Sequence, residues 1–495
     1  MEDFHTRYQY RPLDLQTKEI RLLRIVKTGP RNPITLELRH AKVDESEGFY
    51  ALSYCWGEDS PVHRVLIHDG SEHGAVFERV NLCHFLKFAH ETTQDWSSDW
   101  IWIDQICIDQ DEHKERCHQV GLMGELYTTA NATVIWPGLP STTGLHPWDP
   151  ALGGPTNKKT GIILDLPPFS SEEIGAFCVP ACEAWPEYPL GRSEMAYQML
   201  SGFTYRIWLG LLMSPYWNRL WVIHEIVLAS HDFILVDDQQ WALGDLHDAF
   251  VILLNNVELP AKQLWSRHAI DRMFRIQKKI ASYAYKRLKI QLQQSCIRAN
   301  EKAPRYLSWN FAIALTFDNE CSLQFDRVYG LMGLLVHKEL KIDPDYTITQ
   351  KELLRRVVQS QLSFVARRMA DGDDPLVWGI LSNLIFDWGE SLNFEPIVSD
   401  GLVQMPSGDR YHYDMKLKPD DRRIIQHNVR LLLRKLEISI PAQITARYGA
   451  DCSCGCNDVA SIREPGATGP NSENPVTTSI LSTEVNAEIM KQDRP

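Results

Sequence analysis

The sequence predicts an α/β protein with a doubly wound, mostly parallel sheet, followed by a mainly helical C-terminal region. Three segments carry that expectation. WIWID (Trp100 to Asp104) and ATVIWPG (Ala132 to Gly138) are short apolar runs without alternation, the pattern of strands buried on both faces. Between them, Cys117, Val120, Gly124, Tyr127 and Asn131 keep the spacing of one helix face. Upstream, FYALSYC (Phe49 to Cys55) is an apolar run closed by Trp56-Gly57, a strand followed by a turn. Strands alternating with helices in this way predict a sheet covered by helices on its faces.

The other elements follow in order. Residues 1–48 read as an N-terminal extension with an Arg/Leu-rich stretch, EIRLLRIV (Glu19 to Val26), and a short strand at Ile34 to Leu38. His63 to Gly70 is a second strand candidate with Asp69-Gly70 as its turn, and Asn81 is an expected N-cap for a helix bearing Leu82, Phe85, Leu86 and Ala89. Residues 139–192 are rich in Pro, Gly, Ser and Thr, so 139–213 reads as an insertion within a domain of residues 49–257. Ser214-Pro215 predicts the start of a helix running through Ala229, followed by a strand at Phe233 to Asp238 and a helix at Leu243 to Leu254. Residues 258–370 form a predicted helical region. Within it, residues 261–300 hold ten Lys/Arg against one acid, Asp271, which reads as a solvated helix face. DRVYGLMGL (Asp326 to Leu334), PDY (Pro344 to Tyr346) and a helix with Leu354, Val358, Leu362 and Val365 complete that region. Residues 371–450 are a mixed region, and the polar 451–495 reads as a disordered tail.

Composition narrows the function. The chain has 495 residues, more than one core usually covers, and a formal net charge of −13, which argues against nonspecific nucleic-acid binding. MEDFHTRYQYRPLD is no secretory signal, and IWLGLLM (Ile207 to Met213) is far too short to span a bilayer, so a cytoplasmic protein without a transmembrane segment is expected. Eleven scattered cysteines are expected to be reduced. There is no GxGxxG, Walker loop, GxSxG or HExxH. His63, His68 and His73 fit neither one strand face nor one helix face, and Cys452, Cys454 and Cys456 lack a fourth ligand, so no metal and no cofactor is expected.

Four blocks, in this order, resemble the fungal heterokaryon incompatibility (HET) family. They are ALSYCWG (Ala51 to Gly57), WIDQICIDQ (Trp102 to Gln110) continuing through Glu115-Arg116, Gln119-Val120, Met123, Tyr127 and Ala130 to VIWPG, RLWVIHEIVLA (Arg219 to Ala229), and DRVYGLMGL with PDY. The second is long and specific. Asp109, Pro137 and His224 depart from the usual pattern, and Pro137 is expected to end its strand early. HET domains in turn resemble TIR domains, with a flavodoxin-like fold. Leu52 to Trp56 compares with the first TIR strand and turn, and Trp221-Val-Ile-His-Glu225 with the segment carrying the TIR catalytic glutamate. The resemblance implies non-self recognition and programmed cell death. It further implies NAD as a substrate cleaved at the nicotinamide–ribose bond, with self-association or an incompatibility partner protein as trigger.

The residues give that chemistry a physical form. Glu225 lies among Trp217, Leu220, Trp221, Val222, Ile223, Ile226, Val227 and Leu228, so its carboxyl is expected to be buried, at a cost unless paired or protonated. One account is a structural ion pair with Arg219 or another arginine. The other is catalytic: a glutamate in a low-dielectric pocket stabilises the oxocarbenium-like state of N-glycoside cleavage. Asp104 ends a buried strand, where it either lines a ligand crevice or caps the following loop. Ser53, Tyr54, Trp56 and Gly57 sit at the matching edge of the first strand, and Trp56 either stacks on a ring or packs the core. Trp221 completes the candidate pocket. Cys107 lacks a histidine partner motif and is not expected to act as a nucleophile. The enzyme account is therefore a TIR-like NAD glycohydrolase. Its alternative is a signalling or assembly module without chemistry of its own.

Overall fold

A computed structural model describes, with short breaks, residues 6–138, 198–199, 205–255, 272–280, 309, 319–370 and 431–439. They belong to one compact unit, residues 1–450; residues 451–495 form a second unit and lie outside the described residues. The strands are β1 (Glu19–Val26), β2 (Thr35–Lys42), β3 (Tyr50–Tyr54), β4 (His63–His68), β5 (His73–Glu78), β6 (Ile101–Trp102), β7 (Ala132–Trp136), β8 (Asp232–Val236) and β9 (Gln239–Trp241). The helices used below are α1 (Val80–Glu91), α2 (Asp104–Cys107), α3 (His113–Thr129), α4 (Tyr205–Met213), α5 (Leu220–Leu228), α6 (Leu243–Asn255), α7 (Asp326–Tyr329) and α8 (Gln350–Ala370).

The nine strands form one mixed sheet in the order β5-β4-β2-β1-β6-β3-β7-β8-β9. The expected doubly wound pattern occupies its centre, where β6, β3, β7 and β8 are parallel. The sheet is not mostly parallel, because four of the eight neighbouring pairs are antiparallel. The physical reason is connectivity: β1–β2, β4–β5 and β8–β9 are joined by short connections, which favour antiparallel partners. β1 comes from the segment before residue 49, yet it pairs with β6 through Leu23↔Ile101.

Ser53 and Thr133 face α5, since Ser53 and the Glu225 side chain are hydrogen-bonded and Thr133 Oγ1 reaches the Glu225 carbonyl at 3.4 Å. Trp136 lies on the other face against Phe85 and Phe88 of α1. Helices thus cover both faces, and β3 is buried between them.

Local signals account for most boundaries. β7 stops at Trp136, immediately before Pro137, which has no N–H to continue a ladder. Two expectations are corrected. Asn81 is not the N-cap of α1: Arg79 holds that position, while the Asn81 amide donates to the Cys55 carbonyl at 2.6 Å and accepts from Trp136 Nε1 at 2.9 Å. Nor does one helix run from Ser214 through Ala229. Ser214 caps a 3-10 turn, Pro215–Asn218, and the chain becomes extended at Arg219 before α5 begins. That break has a cause, because Asn218 and Leu220 form backbone hydrogen bonds with Glu320 at 2.6 and 2.8 Å.

Residues 272–280 are helical, and so is the predicted Leu354-Val358-Leu362 segment, within α8. Expectations for residues 139–197, most of 256–318 and 371–430 fall outside the described residues. No described helix is long and apolar enough to cross a membrane.

Candidate functional site

β3 is the point at which the parallel strands diverge. The next parallel strand in sequence, β6, joins it on one side and β7 on the other. Doubly wound sheets bind ligands at the carboxyl ends of the strands around such a point. Ser53, Tyr54, Cys55, Trp56 and Gly57 leave β3 there, Asp104 follows β6, and α5 lies alongside. Gly57 has φ +82°, a left-handed backbone that glycine adopts without strain, and its carbonyl accepts from Arg79 Nη1 at 2.9 Å.

Glu225 is 2% exposed. Ser53 Oγ donates to its carboxylate, and the Tyr216 hydroxyl lies 2.8 Å from Ser53 Oγ, giving a buried relay Tyr216–Ser53–Glu225. The Arg219 guanidinium donates to the Tyr54 carbonyl and acts on Glu225 and Asp104 at longer range. Asp104 accepts from Trp56 Nε1 at 2.8 Å and from the Gln105 amide at 2.7 Å. Tyr54 is buried with its hydroxyl 3.0 Å from Gln105 Oε1. Burial falls off from Ser53 and Glu225, through half-buried Arg219, Asp104 and Trp56, to exposed Gly57.

The electrostatics are lopsided. Burial pushes the Glu225 carboxyl from 4.5 up to about 7, against the pull of Arg219 and the Ser53 hydrogen bond, with Asp104 adding to the rise. Burial also raises Asp104, despite Arg219, Trp56 and Tyr54. A third acid, Glu78 at the end of β5, is pushed to about 8 by burial and by Asp104. Burial opposes the charge of Arg219, yet Glu225, Cys55, Asp104 and Tyr54 together raise it. Arg219 therefore faces two buried acids, Glu225 and Asp104, while Glu78 beside Asp104 has Arg79 as its cationic neighbour.

The same sheet contains a balanced pair for comparison. Arg21, fully buried in β1, grips Glu115 of α3 with two bonds of 2.5 and 2.9 Å, and also donates to the Cys107 and Arg11 carbonyls. Glu115 further accepts the Asp109 amide at 2.6 Å, so this pair ties β1, α3 and the 107–109 turn together. It is one charge against one, joined by two hydrogen bonds and with further bonds to backbone, as expected of a structural pair.

Residues 49–225 match the family described as Heterokaryon incompatibility protein (HET). This segment is a HET domain. Over 105 residues the chain is 31% identical to heterokaryon incompatibility protein 6, OR allele, of Neurospora crassa. The match covers 20% of this chain and 15% of that relative, so the chain spans only a small part of the relative's length. No solved structure matches the chain.

Within the HET domain, the structure brings Ser53, Tyr54, Trp56, Gly57 and Asp104 to one edge beside Glu225. Trp221 goes elsewhere: its Nε1 donates to Asp326 at 3.2 Å, and its ring lies 6.0 Å from that of His224. Asp104 also caps the Gln105 amide, so the lining and capping roles coexist in one side chain. Cys107 is buried, with its thiol pushed up to about 12 by burial. No group of three or more His, Cys, Asp or Glu placed to hold a metal occurs among the described residues. Tyr216 and Glu78 were not legible from sequence. Tyr216 sits in an aromatic-rich turn that reads as core, and Glu78 ends a strand that no motif marks.

Proposed function

We propose that the chain is an incompatibility-type effector whose HET domain cleaves NAD in TIR-like fashion. The HET domain and the matched relative support the incompatibility part. The observation that carries the chemistry is the excess of two buried acids, Glu225 and Asp104, over one arginine, Arg219, at the carboxyl edge of β3 and β6. Such a surplus is costly in a resting protein and favourable around a developing positive charge. In the reaction, the C1′–N bond between ribose and nicotinamide breaks, and its electron pair leaves with neutral nicotinamide. Glu225 stabilises the oxocarbenium-like ribose, and Ser53 and Tyr216 orient the carboxylate. Water then adds at C1′ and loses its proton to the solvent, giving ADP-ribose. Asp104 and Trp56 shape the entrance, and substrate access requires that edge to open around Glu225.

A second reading, a signalling or assembly module acting through self-association or a partner, is favoured by the 2% exposure of Glu225. Incubation of purified protein with NAD, as monomer and as assembled species, separates the two. The enzyme reading expects nicotinamide release by wild type, with loss on Glu225→Ala and Glu225→Gln. No release in any state, with cell killing intact in both variants, establishes the assembly reading instead.

A further inference from the structure

Glu78 ends β5, the outermost strand of the sheet, and the chain after it returns to the end of β3. Arg79 Nη1 holds the Gly57 carbonyl at 2.9 Å, and Asn81 holds the Cys55 carbonyl at 2.6 Å. These bonds fix Glu78 beside the Trp56–Asp104 pair, itself closed by a 2.8 Å bond. Glu78 is 2% exposed, and its Oε2 has no hydrogen-bond partner among the described residues. Buried carboxylate oxygens are otherwise almost always satisfied, so this one is an acceptor without a donor. The charged and titratable groups facing it are Asp104, Arg79, Tyr10 and Tyr54.

We propose that Glu78 is a ligand-binding residue of the same site, accepting the ribose hydroxyls of a cationic nucleotide and releasing a proton as it does so. This rests on the NAD-cleaving reading of the Glu225 centre and adds to it the group that holds the sugar. Burial and the neighbouring Asp104 push Glu78 up to about 8, so near pH 7 it holds a proton. A ligand bringing a positive ring and two hydroxyl donors compensates both carboxylates at once, so the stored proton leaves for the solvent. Arg79, beside Glu78, favours the same ionised form.

The test uses full-length Glu225→Gln, which keeps Glu78 and Asp104 while suppressing turnover. NAD binding is measured calorimetrically near pH 7 in buffers of different ionisation enthalpy. The expected result is release of about one proton per NAD bound, with affinity rising as pH increases towards about 8. Adding Glu78→Gln should abolish the proton release and weaken binding by about tenfold. If NAD binds Glu225→Gln without proton release, the role of Glu78 is overturned while the Glu225 reading stands. Unchanged affinity in a folded Glu78→Gln background has the same consequence. If NAD neither binds Glu225→Gln nor is cleaved by wild type, the NAD reading falls and the Glu78 role falls with it. Should the double variant fail to fold, the proton count on Glu225→Gln alone decides.

Discussion

Glu225→Gln should stabilise the protein at neutral pH, and the gain should vanish in acid. In the folded chain burial moves the Glu225 carboxyl from 4.5 to about 7. Between those values the unfolded chain ionises while the folded chain keeps its proton, so wild-type stability falls as pH rises. The loss is absent below about pH 4.5 and nearly complete by pH 7. At about 1.4 kcal/mol per pH unit, the separation amounts to about 3 kcal/mol. Glutamine keeps an acceptor for the Ser53 hydroxyl and carries no charge, so the variant escapes the penalty. The assay is urea unfolding of both proteins at several pH values between 4 and 8, read as the difference between them. Other groups drift with pH in both: Glu78 has the same sign, and His224, pushed down to about 3 by burial, the opposite one. The difference cancels them. A Gln variant less stable than wild type at pH 7 to 8 would refute the reasoning. It would mean that Arg219 neutralises Glu225 as an ordinary structural pair and that no surplus of acid exists.

Two further perturbations test the frame around the site. A Cβ on Gly333 would fall within the His224 ring, which is buried beside Gly124, so Gly333→Ala should cost at least about 1–3 kcal/mol in thermal or urea melts. His224→Ala in the same chain should restore part of that loss, and no recovery would show that the clash lies elsewhere. Glu115→Gln leaves Arg21 buried with half its partner and should cost about 3–5 kcal/mol, whereas Arg21→Met with Glu115→Leu should recover most of it. A cost below about 1 kcal/mol for Glu115→Gln would contradict the role given to this pair.

Much of the central sheet was legible because β3 and β7 are apolar on both faces, a pattern that leaves little choice of structure. The flanks were less legible. β1 contains Arg21 and Arg24, which break its apolar reading; only the fold supplies Glu115 and Glu37 to pair them. β5 (HGAVFE) is short, with exposed Phe77 beside buried Glu78, the reverse of what side-chain polarity suggests. At the site, Glu225 stood out as an acid in an apolar helix, and Asp104 as the end of a buried strand. The relay through Ser53 to Tyr216 did not, because 163 residues separate those two side chains. Trp221 was placed in the pocket through the resemblance of Trp221-Val-Ile-His-Glu225 to the TIR segment that carries the catalytic glutamate. What redirects it is Asp326, more than a hundred residues away and invisible to helical periodicity.

The downstream stretch from Asn319 to Tyr346, which contains the DRVYGLMGL and PDY blocks, explains why Glu225 is held so firmly. Residues 219 and 320 form a parallel bridge, and Asn319 donates to the Asn218 and Arg219 carbonyls at 3.3 and 3.1 Å. Asp326 then takes Trp221 Nε1 and, at 2.8 Å, the Tyr346 hydroxyl, while Gly333 admits the His224 ring. These contacts act on the short stretch from Asn218 to Glu225, which also carries Arg219. The family match ends at residue 225, but the position of its last residue is fixed by chain lying a hundred residues further on. Buried acids in excess of their counter-charge tend to relax by protonation or by local rearrangement. Here the backbone bridge and the Asp326 hydrogen bonds remove the second route for α5. Protonation remains, and under the proposed function a ligand bringing positive charge to the edge formed by Trp56 and Asp104 would reverse it. A frame that prevents relaxation while leaving the charge uncompensated is hard to account for by stability alone, because a one-to-one pair such as Arg21–Glu115 would hold the same helix at lower cost.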